Sequence, residues 1–346
     1  MLYAGTYSVR GSEGIYALRF DGDTGALEVI GALGGLRNPS FLAAHPSGRW
    51  LYAVCEEERA AAVAAVALEG ETGEGRVLNW QSTGGAGPCH VAVDPCGEWV
   101  VTANYGSGAV SLHRVLPDGK VGETADLAQH EGSGPVADRQ EGPHAHSANF
   151  DPSGRFVIAP DLGTDRLMVY ELDREAGKLR LHEAVVVAAG AGPRHFAFHP
   201  NGKWAYLITE LANTVVVYRW DGETGALTEV QTVSALPEGW SGTSYCADIH
   251  VHPNGKFLYG SNRGHDSLAI FRVGDGGLLE AAGHVPTGGE HPRNFAVTAD
   301  GRWVLAANMH SDNIVVFAVG EDGGLVAVGK PLPLPSPACL LFVERT

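Results

Sequence analysis

HPNGKWAYLI (199–208) and HPNGKFLYGS (252–261) are two copies of a phrase that occurs six times along the chain. The others are HPSGRWLYAV (45–54), DPCGEWVVTA (94–103), DPSGRFVIAP (151–160) and TADGRWVLAA (298–307). Each is a turn, a charged residue, an aromatic and a β-rich run. Their starts lie 49, 57, 48, 53 and 46 residues apart, a period that belongs to propellers and solenoids.

The copy at 199–208 shows the unit around it. GPRHFAFHP (192–200) reads as a first strand, WAYLITE (204–210) as a second and TVVVYRW (214–220) as a third. After the DGETG turn, ALTEVQTVSAL (226–236) is the fourth. Four antiparallel strands joined by Gly/Asn/Asp turns make a propeller blade. At the N-terminus LYAGTY (2–7), GIYALRF (14–20) and GALEVIGAL (25–33) supply second, third and fourth strands without a first. At the C-terminus SPACLLFV (336–343) is a first strand with nothing after it. The two ends complement each other. The expectation is an all-β, seven-bladed β-propeller, one domain over 1–346, with four antiparallel strands per blade. Its ring is closed by the C-terminal strand joining the N-terminal blade, which leaves no open sheet edge. The longest insertion is expected at 124–143 and the next at 236–247, both reaching over one mouth of the channel.

Bulk composition narrows the function. The chain has 346 residues, 47 Gly, 19 Pro and a formal net charge of −16. That charge disfavours nucleic acid or an anionic membrane as partner. No apolar run reaches membrane-spanning length, and Met1 opens on a strand-like segment, so no signal peptide is expected. Five cysteines, an odd number with no C-x-x-C pair, suggest free thiols in a reducing cytoplasm. A monomer or weak homo-oligomer is expected.

The repeat also locates the candidate site. All first strands run the same way, so their starting ends share one mouth with the final ends of the second strands. Five residues before each turn phrase stand Ser40, Cys89, His146, Arg194, Ala247 and Arg293, with Ala338 as the seventh. A purely structural position would stay small or apolar. The next residues along include His90, His195 and Asp248, and the second strands end near Glu56, Tyr105, Asp161, Glu210 and Arg263. His144, two residues before His146, would share its face on a strand. One mouth thus collects His90, His144, His146, Asp161, Arg194, His195, Glu210, Arg263 and Arg293. Converging Arg, His and carboxylate in a concavity is the pattern of an active site. The opposite mouth receives the solvated PNGK turns.

Several chemistries lack their motifs. There is no G-x-S-x-G, P-loop, H-E-x-x-H or G-x-G-x-x-G after a strand, so neither metal nor cofactor is expected. The pairs 144/146 and 250/252 are H-x-H, but His252 is matched by His45 and His199 and so is a turn residue. Arginines bind carboxylate or phosphate in bidentate fashion and stabilise oxyanions. Arg194 and Arg263 suit the oxyanion and Arg293 a phosphate, with His90, His144, His195 and Asp161 as further substrate contacts. His146 is a plausible base at neutral pH. Glu210, among arginines, stays ionised and could be either a base or an orienter of arginine.

The same residues carry a family likeness across essentially the whole chain. Its motifs are GTYSVRGSEGIY, NPSFLAAHPSGRWLYAV, GPCHVAVDP with ANYGSG, RQEGPHAH, DLGTDR, GPRHFAFHPNGKWAYLITEL, ADIHVHPNGKFLYGSNRGHDSLAIF, HPRNF and SDNIVVF. The chain resembles the seven-bladed propeller lactonases, which include propeller-type 6-phosphogluconolactonases and the fungal carboxymuconate lactonising enzyme. The resemblance implies functional roles for His146 in GPHAH, Arg194 in GPRH, Glu210 in ITEL and Arg263 in SNRG. It implies hydrolysis of 6-phosphoglucono-lactone, a small anionic substrate, in the pentose phosphate pathway. Cys55, where Asn is expected, and Met309-His310, in place of a polar pair, depart from the pattern and bear on substrate range. The competing readings are a muconate-type lactonising enzyme, a lactonase for other sugar lactones, and a non-catalytic binding scaffold. The scaffold would show a broad apolar rim and an arginine mouth that tolerates substitution.

Overall fold

The computed structural model of the chain describes residues 1–69 and 73–344. It contains seven four-stranded antiparallel sheets, each with its strands in spatial sequence from the inside outward. Blades 2 to 7 occupy 42–82, 88–129, 149–186, 193–234, 245–286 and 292–333. Blade 1 is built from both ends of the chain: Pro337–Phe342 pairs antiparallel with Leu2–Thr6, which continues into Ile15–Phe20 and Leu27–Leu33. The predicted ring closure is therefore present. Among the described residues no helix is long and apolar enough to cross a membrane.

Burial follows strand position. Second strands such as Trp99–Asn104 are buried along their whole length, because blades pack on both faces of them. Outer strands such as Val121–Gln129 alternate between half-buried and exposed residues, as a one-sided strand must. That outer strand also revises the expected insertion. Residues 124–129 belong to blade 3, and only the chain beyond Gln129 departs to cross the mouth. Likewise the second crossing segment ends earlier than expected, because Tyr245 already opens the inner strand of blade 6.

The conserved shape of the repeat phrase has a mechanical cause. The aromatic of each phrase lies over a glycine in the outer turn of the next blade. Trp50 covers Gly119, Trp99 covers Gly177, Phe156 covers Gly225, Trp204 covers Gly277, Phe257 covers Gly323, and Trp303 covers Gly25 of blade 1. A Cβ on any of these glycines would come within 3.0 Å of the ring, and all six have positive φ. Where Tyr follows two residues later, its hydroxyl donates to the carbonyl of the same glycine: Tyr52 to Gly119, Tyr206 to Gly277 and Tyr259 to Gly323, at 2.9–3.0 Å. The turn histidines form a second latch. The Nε2 atoms of His45, His199 and His252 bond the carbonyls of Gly97, Gly255 and Gly301 in the following blade. They are structural, as the repeat implied. The seam between blades 1 and 2 differs. Met1 stands in place of the aromatic, and a cleft of about 310 Å³ opens there among Tyr3, Ile30, Leu51 and Gly73.

Two glycine variants test this seam. Gly277→Ala must adopt φ near +71° and press a methyl into Trp204, which should cost about 2–4 kcal/mol. Gly202→Ala has a similar φ of +67° but open space around it, and should cost only about 1 kcal/mol. Urea unfolding of the two variants measures the difference.

Candidate active site

The inner strands do not pair cleanly at their start. Register skips between Pro88 and His90, between Pro193 and His195, and between Pro292 and Asn294, leaving out Cys89, Arg194 and Arg293. Blade 6 skips between Cys246 and Ile249, and in blade 1 the shift falls opposite Ala338. A bulge leaves one residue unpaired and re-aims its side chain, and proline suits the strand start because it has no N–H to pair. These bulge residues are the positions that the repeat alignment selected. The second strands supply a matching set. Counting six residues on from each aromatic, or from Met1 in blade 1, gives Tyr7, Glu56, Tyr105, Leu162, Glu210, Arg263 and Met309.

Bulge residues and second-strand ends meet in a cavity of about 200 Å³. Glu56, Cys89, Tyr105, Arg139, His146, Glu210, Arg263 and Arg293 line it. Beneath it Phe41, His146, Arg194, His195 and Arg293 close around a void of only about 10 Å³ and form the cavity's floor.

Glu210 is the electrostatic centre. Arg139 Nη2 donates to its Oε1 at 2.5 Å, and Arg194 Nε and Arg263 Nη2 reach its Oε2 at 2.8 and 2.7 Å. His146 Nε2 lies 3.8 Å from the same Oε2. Burial alone would raise the Glu210 pKa, but Arg263 and Arg194 outweigh it and hold the carboxyl well below its usual range. Glu210 is therefore a fixed anion that orients three guanidiniums. Arg194 is 1% exposed and also donates to the Ala247 carbonyl. Burial and the neighbouring Arg263 pull its pKa down to about 10, so it remains charged at neutral pH. It sits under the floor and not on the cavity wall. Arg263 bonds the carbonyls of Tyr245 and Cys246 as well. Among the described residues the Arg293 guanidinium has no hydrogen-bond or ion-pair partner and lies 5.3 Å from the Tyr7 ring. It faces both the cavity and the floor.

His146, His195 and His90 are held toward the neutral form. Burial, then Arg194, holds His146 well below the ordinary imidazole value and His195 at about 4. Burial, then His195, does the same to His90. His195 and His90 lie below the cavity, with His195 bonded to Asp248 at 2.8 Å and His90 packed on Phe41. Cys89 is a buried thiol pushed up to about 12 by desolvation, too weakly acidic to serve as a nucleophile.

Of the residues expected at the site, His146, Glu210, Arg263 and Arg293 line the cavity, while Arg194, His195 and His90 support it from below. Two expectations are corrected. Asp161 stands one residue before the cavity-facing end of its strand, so it points the other way. Its carboxylate bonds His130 and the backbone N–H groups of His144, Gly163 and Thr164. His144 is not among the residues that line the cavity, and regular strand begins only at Asn149. It stacks on Tyr105 at 4.4 Å and bonds the Tyr105 carbonyl. The departure at Cys55 is likewise turned away, into the core between blades 1 and 2, and does not touch the cavity. Arg139 was missed because it comes from the crossing segment, outside the repeat. Glu56 and Tyr105 were legible as the repeat equivalents of Glu210.

Two stability tests follow. Glu210→Gln leaves three guanidiniums without their anion and should cost about 3–5 kcal/mol, read by urea unfolding. Second, the unfolded chain protonates its histidines below pH 6.5 while buried His90, His146 and His195 resist, so stability should fall as pH drops from 6.5 toward 4. His195 alone should account for about 2 kcal/mol between pH 7 and pH 5. His250, whose pKa the Asp248 carboxylate raises despite burial, offsets part of this. Urea midpoints at the two pH values check the sign.

Known proteins share this architecture. The family model described as "Lactonase, 7-bladed beta-propeller" matches residues 1–342. A 6-phosphogluconolactonase of Bacillus subtilis is 41% identical over 294 residues, 85% of this chain and 83% of that protein. One from Formosa agariphila is 34% identical over 293 residues, with 82% of each chain covered. The solved structure of a periplasmic gluconolactonase, PpgL, from Pseudomonas aeruginosa superposes with a TM-score of 0.95 at 31% identity, over 100% of this chain and 99% of that one. With its seven blades and arginine-lined mouth, the chain belongs to the seven-bladed β-propeller lactonase family.

Proposed function

We propose that the chain hydrolyses 6-phospho-D-glucono-1,5-lactone to 6-phosphogluconate, the lactonase step of the pentose phosphate pathway. One observation carries this reading. Arg139, Arg263 and Arg293 line one cavity with Arg194 beneath it, and among the described residues its lining holds two carboxylates, Glu56 and Glu210. The site is cationic within a chain of net charge −16. Such a pocket selects an anionic substrate, and relatives named 6-phosphogluconolactonase support a phosphorylated sugar lactone.

The geometry divides the work. Glu210 and buried Arg194 form the fixed base of the site. Arg263 and Arg139 spend part of their donors on Glu210, Arg263 also bonds two backbone carbonyls, and both line the cavity. Arg293 has its whole fork available for an anion, either the substrate phosphate or the oxyanion that forms when water adds to the lactone carbonyl. A donor already in place costs no reorganisation when charge develops. Tyr105, its pKa raised by burial, stays a neutral phenol able to donate a hydrogen bond. The chemistry asks for no metal, cofactor or nucleic acid. The five free cysteines, four of them buried, fit a cytoplasmic location.

Freshly generated phosphorylated lactone, followed by NMR at pH 6.5, tests the reading. The chain should accelerate ring opening well above the spontaneous rate, equally with and without EDTA. Arg293→Ala should lower kcat/KM by about 10²–10³-fold. Glucono-1,5-lactone without the phosphate is the second reading, favoured by the name of the Pseudomonas aeruginosa neighbour. It gains the upper hand if removing the phosphate leaves kcat/KM unchanged.

A further inference from the structure

The cavity contains a second carboxylate in an environment unlike that of Glu210. Glu56 occupies the same repeat position in blade 2 that Glu210 occupies in blade 5. Both oxygens of Glu210 are taken by guanidiniums. Among the described residues neither oxygen of Glu56 has a guanidinium within 4 Å. Its partners are neutral hydroxyls: Tyr7 donates at 2.9 Å to Oε2 and more distantly, at 3.1 Å, to Oε1, and Ser40 bonds Oε2. Oε2 thus has two partners and Oε1 one, so the carboxylate keeps lone-pair capacity in a residue that lines the cavity. The Tyr7 ring that anchors Glu56 also carries Arg293 on its face. A carboxylate with an open acceptor and a guanidinium with open donors therefore share one wall.

We propose that Glu56 is the general base that activates water for attack on the lactone carbonyl, a role resting on the lactonase reading above. Oε1 takes a proton from water as the water oxygen bonds to the carbonyl carbon. The carbonyl π pair moves onto oxygen, where Arg293 receives it. When that oxyanion collapses, the bond from the carbonyl carbon to the ring oxygen breaks. The ring oxygen leaves as an alkoxide and takes the proton back from Glu56. The carboxylate is regenerated and the product is the open hydroxy acid. Glu210 cannot do this, since a proton on it would forfeit three ion pairs. His146 is buried and then held in the field of Arg194, and both oppose any proton it might accept. Tyr7 and Ser40 are positioning residues that fix the carboxylate.

Glu56→Gln and Glu56→Asp in the full chain test the assignment with the phosphorylated lactone. Glu56→Gln should lower kcat by about 10²–10⁴-fold, with KM within threefold of wild type. Glu56→Asp keeps the acid–base group and should recover at least tenfold over the Gln variant. Binding of 6-phosphogluconate by calorimetry should be unchanged in both, which establishes a folded, intact pocket. An active wild type with a Gln variant whose kcat is within threefold of it overturns the role of Glu56 alone. A Gln variant that loses product binding together with activity also overturns it, in favour of a structural carboxylate. A wild type without acceleration removes the lactonase reading, and the base with it.

Discussion

Each inner strand has to begin at the channel mouth, and most of them do so with a broken register. That single irregularity is what the site depends on. A regular strand would direct Arg194 and Arg293 by strict alternation, into the faces between blades where a guanidinium has no partner. The bulge after Pro193 and Pro292 turns them to the channel, where Glu210 and the open cavity await them. The same device in blade 3 presents Cys89, a small wall residue. Charged and inert positions thus share one backbone solution and differ only in side chain.

The opposite mouth shows why such a site can be held. There the aromatic of each phrase covers a glycine of the next blade, and the turn histidines bond across the same seam. Those contacts repeat with little change because each pair of blades must dock in the same way. Rigidity at that end frees the residues at the other from packing duty. A fully buried arginine such as Arg194 is tolerable only in a frame that keeps its anion within 3 Å, and the two inner strands of blade 5 do so.

Much of this was readable in the chain before its structure. The period, the four strands of 193–234 and the pairing of the two termini all follow from turn chemistry and β-rich runs, which are local signals. His146, Glu210, Arg263 and Arg293 stood out because they break a repeat. The errors have equally physical causes. Asp161 lies one residue away from the cavity-facing position, and on a strand one residue reverses the face. Strand alternation does not apply at His144, in a stretch that is not regular strand. Arg139 lies on the segment crossing the mouth, where no repeat serves as a ruler and only the fold brings it to Glu210.

The two acidic ends, Glu56 and Glu210, express the same point most sharply. They are equivalent by repeat, yet one is clamped by three cations and the other is held by two hydroxyls. Their neighbours, and not their sequence position, separate a structural anion from one free to exchange a proton. On this account a sugar lactone, and then its acid product, occupies the arginine-lined cavity. A crystal structure of the chain with 6-phosphogluconate tests it most directly. The product should lie in the cavity with an anionic group on Arg293 and its carboxylate end near Glu56. Product bound elsewhere, for example in the cleft between blades 1 and 2, with the cavity unliganded, would contradict it.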